Sequence, residues 1–155
     1  LRTSWLIGPV GNNFALTMLR LLDERDEVKV ICDQIGSPTS TFSLAKACWQ
    51  IILKIKNKEK LPNILHWSDA GVASWYDITM SIAEIGKNIG LLKETAYIYP
   101  ISTKQFKTFA KRPNFSILNC FETKKALGIK QIYWRDSLRE VLELRKHYLE
   151  KNIIS

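Results

Sequence analysis

Apolar residues follow two alternating patterns along the chain: short β-branched runs, and longer stretches in which they recur with helical spacing. Arg2–Ile7 has strand character and stops at a Gly-Pro pair, which is typical of a turn. The next stretch has apolar residues at i, i+4, i+7 and i+8 from Phe14, with Asn12 or Asn13 placed to cap a helix. Val28–Cys32 is a second β-branched run. The start of the chain is therefore predicted to form strand, helix and strand.

The same alternation continues to the end of the chain. A polar loop at residues 33–39 is followed by further helix and strand patterns, one of which opens on a capping-box-like pair, Ser74 and Asp77. Because strands alternate with helices four times, we predict an α/β architecture with at least partly parallel pairing. The other predicted elements are a helix with the stripe Leu44, Cys48, Ile51, Ile52 and Ile55, strands at Ile64–Ser68 and Ala96–Ile101, and helices ending near Gly90, at Glu122–Leu127 and at about Trp134–Glu150.

Length and composition set the broad class. The 155 residues fit one domain or two small lobes, and an apolar share of 46% is ordinary for a globular protein. No apolar window is long enough to span a bilayer, and the first residues lack the pattern of a secretion signal. They have the pattern of a core strand that begins before the first residue, so we expect the chain to be part of a longer protein.

The cysteines and histidines argue against a disulfide framework and against a zinc site. Cys32, Cys48 and Cys120 are odd in number and include no C-x-x-C pair, which favours reduced thiols in a cytoplasmic protein. His66 and His147 have no Cys or His partner at ligand spacing. We therefore predict no metal site.

The net charge of +8 changes this picture little. A basic domain can bind nucleic acid, an anionic membrane or a phosphorylated small molecule. The lysines are spread along the chain, however, and no aromatic-interleaved basic patch or groove-reading motif accompanies them. Most of them are expected to be solvated surface residues. We predict no nucleic-acid partner and no membrane partner.

The sequence also lacks the motifs of a complete catalytic apparatus. It has no G-x-G-x-x-G turn to bring a helix N-terminus against a pyrophosphate. None of its five tyrosines is followed four residues later by lysine. A G-x-S-x-G elbow, an H-E-x-x-H helix and a P-loop are absent as well. We expect no catalytic residue in this chain.

Five motifs, each weak alone, stand in one order and spacing: Arg2-Thr3-Ser4-Trp5, then Gly11-Asn12-Asn13-Phe14, then Asp33-Gln34-Ile35-Gly36-Ser37-Pro38-Thr39, then Ser68-Asp69-Ala70-Gly71 with Ser74-Trp75-Tyr76-Asp77, and finally Arg112-Pro113. In this register the chain resembles the dTDP-4-dehydrorhamnose reductase family, which belongs to the extended short-chain dehydrogenase/reductase group. The similarity runs from residue 1 to about residue 148. It identifies the segment as the carboxyl-terminal half of such an enzyme.

The resemblance implies an α/β fold with an incomplete Rossmann sheet edge and a small α/β substrate-binding lobe. Residues 1–8 and 40–71 would be the residual Rossmann elements, and residues 9–39 and 72–155 would form the lobe. In the family, an N-terminal Rossmann half binds NADPH or NADH and carries a Thr/Ser–Tyr–Lys catalytic set. Both would precede Leu1, so this chain alone is expected to be inactive.

The implied reaction is NAD(P)H-dependent reduction of the 4-keto group of dTDP-4-dehydro-L-rhamnose to dTDP-L-rhamnose. This half would bind and orient the dTDP-sugar, in an enzyme expected to be cytoplasmic and able to form a homodimer. An incomplete sheet is expected to expose apolar faces and to self-associate when alone. One alternative stays open: a non-catalytic relative that binds a partner enzyme, as the methionine adenosyltransferase regulatory subunit does.

Three residues are the main candidates for substrate contacts. Trp5 matches a family tryptophan of the sugar pocket, where an indole would offer an apolar floor and an N–H donor, although composition alone favours a core position. Asn13 is placed either to cap a helix, to contact the diphosphate, or to do both. Arg112 would either anchor the diphosphate through its guanidinium fork or form a surface ion pair, and Lys111 beside it would either add a second cation or play no part.

The loop at residues 33–39 supplies three weaker candidates. The resemblance places Gln34, Ser37 and Pro38 near the nucleotide end of the pocket, although a turn of this composition needs no ligand. Trp75 lies on the apolar face of its predicted helix, so we expect it to be a core residue.

Overall fold

The computed structural model describes residues 1–106, 110 and 112–151 and consists of five helices and seven short strands in those ranges. No helix in these ranges is both long and apolar enough to cross a membrane. The helices are α1 (Phe14–Glu24), α2 (Thr41–Lys56), α3 (Trp75–Asn88), α4 (Phe121–Leu127) and α5 (Trp134–Glu150). The strands are β1 (Leu6–Ile7), β2 (Glu27–Ile31), β3 (Ile35–Gly36), β4 (Thr39–Ser40), β5 (Ala73–Ser74), β6 (Tyr97–Ile101) and β7 (Phe115–Ser116).

The strands form three small sheets with mostly parallel pairing. β1 pairs with β4 and β2 with β6, both in parallel, and the third sheet has the order β5-β3-β7 with β3 and β7 parallel. Pro100 pairs with Val30 in the two-stranded sheet, where β6 has a free edge, as a residue without an N–H requires. The predicted α/β class with partly parallel pairing is confirmed.

A main core gathers the apolar faces of α1, α3 and α5 over β2. Ile78 and Ile82 of α3 and Leu138 and Leu142 of α5 are fully buried in it. Their spacing of four residues places each pair on one helix face, which is why these segments form amphipathic helices. This core includes Trp75 as a partly buried member, so the prediction that Trp75 packs in the core is borne out in that respect.

A separate, smaller core joins α2 to α4. It consists of Ala47 of α2, Leu127 of α4 and the loop residue Trp67, with a few partly buried apolar neighbours. The indole N–H of Trp67 donates a 2.8 Å hydrogen bond to Ser43 Oγ, which satisfies the polar end of this buried ring.

The helix boundaries follow local capping chemistry closely. Asn13 caps α1 by accepting from Leu16 N, and Ser74 and Asp77 form a reciprocal capping box at α3. Gly128 ends α4 in the left-handed conformation, with φ at +65°. These three predictions are confirmed.

Two predicted strands are much shorter than expected. The run Arg2–Ile7 is interrupted at Trp5, which adopts φ of +47°, so that only Leu6–Ile7 and a single bridge from Arg2 to His66 remain. The run Ile64–Ser68 contributes only that bridge. The reason lies in Trp5: its carbonyl accepts from Thr39 N at 3.1 Å, and this turned backbone cannot continue the strand.

The prediction for the packing of α2 is also corrected. In the predicted stripe, Cys48, Ile52 and Ile55 are exposed, whereas the fully buried positions of the helix are Ser43 and Ala47. Trp49 is 60% exposed on the outer side. The cause is that α2 is apolar on nearly its whole circumference, so hydrophobic spacing does not identify the inward face.

Candidate functional site

A cleft of about 560 Å³ opens beside α1, β2 and the start of α3. Three cations line it, Arg25, Lys29 and Arg112, and no acidic side chain is among its lining residues in the described ranges. Gln34 and Phe106 contribute a polar and an aromatic group. A cleft with this charge and an apolar wall fits an elongated ligand that carries negative charge at one end.

An aromatic stack forms the wall of the cleft at α3. The rings of Trp5 and Trp75 lie 3.6 Å apart between centroids and are almost parallel, at 9°. Phe14 packs against Trp75 at 4.5 Å with a tilt of 50°. Trp75 lines the cleft directly, and Trp5 adjoins it through this stack. Stacked indoles provide a rigid flat surface of the kind that sugars and bases pack on.

Trp5 fits here because of Gly36. A Cβ placed on Gly36 would lie 2.5 Å from Cε2 of Trp5, so only glycine allows the ring to rest on β3. The positive φ of Trp5 is a strained conformation for a bulky residue, and such strain concentrates at functional sites.

We expect Gly36→Ala to displace the indole of Trp5 from the stack and to cost about 1–2 kcal/mol of unfolding free energy, since an added methyl must push a rigid ring aside. The unfolding midpoint in urea measures this cost. Gly11→Ala is the comparison, because a Cβ there would meet nothing within 4 Å and any loss there comes from its positive φ, which Gly36 does not share. An unchanged unfolding midpoint in Gly36→Ala would mean that the Trp5 ring is not displaced by the added methyl.

Gln34 is only 3% exposed, and its amide is held at both ends. Its Nε2 donates to Thr103 Oγ1 at 3.1 Å, and its Oε1 accepts from the indole N–H of Trp75 at 3.2 Å. Thr103 in turn donates its backbone N–H and its hydroxyl to Asp33. The hydroxyl hydrogen bond from Thr103 is the main reason that the pKa of the Asp33 carboxyl lies below its usual value.

The other three candidates lie outside this cleft. Asn13 uses its side chain at the cap, accepting from Leu16 N at 3.2 Å and donating to Gly8 O at 2.9 Å, and it lines a separate groove of about 520 Å³. Ser37 is buried and donates to Gly71 O at 3.0 Å. Pro38, also buried, accepts a backbone hydrogen bond from Asp69 at 3.2 Å. The structure therefore brings Gln34 and Arg112 together at the cleft, places Trp5 against Trp75 beside it, and shows structural contacts for the rest.

Residues that sequence reasoning missed complete the cleft. Phe14, Phe106 and Trp75 were not expected at a site. One signal was available for Trp75: it directly follows the capping serine of α3, so its ring sits at a helix start beside a loop. Lys111, the predicted second cation, lies outside the described residues.

A buried carboxylate, that of Asp69, lies at the start of α2. Asp69 is 1% exposed, and its Oδ2 accepts from Ser40 N at 2.9 Å, where Ser40 caps the helix by accepting from Ser43 N. Its Oδ1 has no hydrogen-bond partner in the described ranges. Burial raises the pKa of Asp69, and the nearby hydroxyls of Ser43 and Ser137 oppose that rise only in part.

Comparison with known proteins gives one consistent result. The family model described as the RmlD substrate binding domain matches residues 1–146. Over 94% of its length the chain is 40% identical to the spore coat polysaccharide biosynthesis protein SpsK of Bacillus subtilis, of which it covers 47%. Over 91% of its length it is 37% identical to a dTDP-4-dehydrorhamnose reductase of Aggregatibacter actinomycetemcomitans, of which it covers 48%. The chain thus spans about half the length of these curated relatives.

Solved structures agree on the fold. A dTDP-4-dehydrorhamnose reductase from Clostridium acetobutylicum superposes with a TM-score of 0.77 at 34% identity, covering 94% of this chain and 48% of that one. The enzyme of the same description from Bacillus anthracis, in complex with NADP, gives 0.72 at 32% identity, covering 92% and 46%. The mixed α/β fold is therefore that of about half of such an enzyme, as the resemblance implied.

Proposed function

We propose that this chain, which belongs to the RmlD substrate-binding domain family, is the substrate-binding half of an NAD(P)H-dependent reductase of dTDP-4-dehydro-L-rhamnose. The observation that carries the proposal is the cleft lined by Arg112, Gln34 and Trp75, with Trp5 stacked on Trp75. A guanidinium fork suits a diphosphate, and a flat indole suits the apolar face of a 6-deoxy sugar. The product would be dTDP-L-rhamnose.

In this reaction a hydride adds to the C4 carbonyl carbon of the sugar while a proton reaches its oxygen, and the nicotinamide is oxidised. The described residues include no glycine-rich turn that fits a dinucleotide pyrophosphate. We therefore propose that NADPH or NADH binds to another part of the full-length protein, the one that corresponds to the half of the relatives that this chain does not span. The proton donor would lie there as well. The residues here bind and orient the sugar, and orientation lowers the barrier because the entropy cost is met on binding.

The proposed division of the chain agrees with its two cores only in part, since Ile7 packs in the main core and Leu127 packs in the smaller one. Residues 1–8 and 40–71 would belong to the Rossmann part, and residues 9–39 and 72–155 to the substrate lobe. In support, α2 and Trp67 share a small core apart from the one under α1, α3 and α5. The outer face of α2 exposes Trp49, Ile52 and Ile55, and a helix that is apolar all round is normally covered on both sides. We propose that the remaining half of the enzyme covers it.

We expect the double variant Trp49→Gln, Ile52→Gln to reduce self-association of the isolated chain while destabilising the full-length enzyme by about 1–3 kcal/mol, since apolar contact area is lost only there. Analytical ultracentrifugation and urea unfolding measure the two effects. Tyr97→Gln is the matched control, because Tyr97 is equally exposed but lies on β6 in the lobe. An unchanged stability of the full-length double variant would contradict the proposed cover.

The function is tested on the product of the complete coding region that contains this chain. NADPH and NADH oxidation is followed by absorbance with dTDP-4-dehydro-L-rhamnose as substrate, and formation of dTDP-L-rhamnose is checked by mass and NMR. Turnover that falls in Trp5→Ala and in Arg112→Ala would support the reductase and its cleft. If a nicotinamide binds but no keto-sugar is reduced, the reductase proposal fails, and a non-catalytic, partner-binding role becomes the one to examine. We propose a cytoplasmic location and a homodimer for the enzyme.

A further inference from the structure

A continuous line of hydrogen bonds runs from β2 to the aromatic wall of the cleft. Asp33 Oδ1 accepts from the Thr103 hydroxyl at 2.6 Å and from Thr103 N at 2.8 Å. Thr103 Oγ1 accepts from Gln34 Nε2 at 3.1 Å, and Gln34 Oε1 accepts from Trp75 Nε1 at 3.2 Å. Trp75 stacks on Trp5 at 3.6 Å. Asp33 and Thr103 do not touch the cleft themselves, yet they are joined to the residues that form it.

The chemistry of the groups fixes the direction of every bond in this line. An ionised carboxylate only accepts, so the Thr103 hydroxyl must donate its single proton to Asp33. The hydroxyl is then left with lone pairs only, and it must receive the N–H of Gln34. That places the amide oxygen of Gln34 toward Trp75, whose indole N–H only donates. Only this arrangement gives each of these polar groups a hydrogen-bond partner of the right kind.

Loss of the contact between Asp33 and Thr103 removes the constraint on the Gln34 amide. Without the carboxylate, the Thr103 hydroxyl can donate as well as accept, and without the hydroxyl, Gln34 Nε2 has no acceptor, so in both cases the amide is no longer held in one orientation. When the amide turns, its NH₂ faces the indole N–H, and two donors meet in a buried place, since Gln34 is 3% exposed. Trp75 would have to move, and with it the stack on Trp5.

We propose that Asp33 and Thr103 are positioning residues that set the orientation of the Trp5–Trp75 stack through the amide of Gln34. The inference rests on the proposed function in one respect: it makes this stack the wall against which the sugar nucleotide is held. Thr103 also opens the turn at Thr103–Gln105 that leads to Phe106 on the cleft. Through Thr103, the carboxylate of Asp33 is therefore connected both to the Gln34 amide and to the turn before Phe106. Asp33 and Thr103 lie 70 positions apart in the sequence.

The test measures the stack directly. Two indoles in parallel contact couple their transitions and give an exciton couplet in the far-ultraviolet circular dichroism spectrum. The difference spectrum between the full-length protein and its Trp5→Phe variant assigns that couplet. Thr103→Val removes the hydroxyl at nearly constant volume, Thr103→Ser keeps it, and Asp33→Ala removes the acceptor. Ser102→Ala is the matched control, since Ser102 donates to Gln105 in the same turn and has no contact with Gln34 among its hydrogen bonds there.

We expect Thr103→Val and Asp33→Ala to lose at least about half of the couplet and to raise the KM for the dTDP-sugar about fivefold or more, with kcat changed less than about twofold. Thr103→Ser and Ser102→Ala should keep both values. An unchanged couplet in folded Thr103→Val and Asp33→Ala overturns the proposal, as does a lost couplet with an unchanged KM. A wild-type protein that reduces no keto-sugar defeats the proposed function instead, and the couplet still decides whether the stack is positioned by Thr103.

Discussion

If the full-length protein is the proposed reductase, Arg112→Ala is expected to raise its KM for dTDP-4-dehydro-L-rhamnose about 10- to 100-fold, because a hydrogen bond to a charged group contributes about 1.5–3 kcal/mol. The effect should be larger on KM than on kcat, since the diphosphate lies away from the reacting carbonyl and is bound alike in ground and transition states. Steady-state kinetics at constant ionic strength measure both. Arg112→Lys should recover only part of the loss, because an ammonium group keeps the charge but not the bidentate fork.

The control for Arg112 separates a specific contact from the general field of a basic protein. Arg20→Ala removes the same charge from α1, but Arg20 faces the other groove and pairs with Glu24 at 2.5 Å. It should leave KM within about twofold. If the two variants raise KM equally, the cations act by attraction at a distance, and the assignment of the diphosphate to Arg112 fails.

Local chemistry explains which parts of the fold could be predicted. The cap at Asn13, the capping box at Ser74 and the stop at Gly128 depend on residues within a few positions of one another, so the sequence displays them fully. The break at Trp5 could not be foreseen in this way. It depends on a ring resting on Gly36, 31 positions later, and on a backbone bond to Thr39.

The same distinction explains the site. The resemblance to the reductase family identified Gln34 and Arg112, which line the cleft, and Trp5, which stacks on Trp75 beside it. It could not tell these residues from Ser37 and Pro38, which have structural contacts within the same motif as Gln34. Position at the cleft decides between these cases, since Gln34 and Ser37 are equally buried, and that position is a property of the assembled fold. For α2 the limit was different: a helix apolar on all sides gives no signal of which face is inward until a partner is known.

Asp69→Ala is expected to destabilise the protein by about 2–4 kcal/mol, because it leaves the buried N–H of Ser40 without an acceptor at the start of α2. Asp69→Asn should not. The amide oxygen can accept from Ser40 N in place of Oδ2, and the amide N–H₂ takes the position of Oδ1, which has no partner in the described part of the chain. The Ser137 hydroxyl lies close enough to lower the pKa of Asp69, and it would become an acceptor for that amide. Urea unfolding of the full-length protein measures both variants.

The pH dependence distinguishes this account from simple loss of packing. Burial raises the pKa of Asp69 in the folded protein above its ordinary value of 3.8, so the fold favours the neutral acid. The favourable contribution of Asp69 is therefore complete below that value and is lost as pH rises through the folded pKa. Asparagine does not titrate, so the stability of Asp69→Asn relative to wild type should increase as pH rises above 3.8 and should level off once pH exceeds the raised pKa of the folded protein. A difference that stays constant across this range would mean that Asp69 is ionised at little cost, and that a hydrogen-bonded carboxylate at the N-terminus of α2 outweighs its burial.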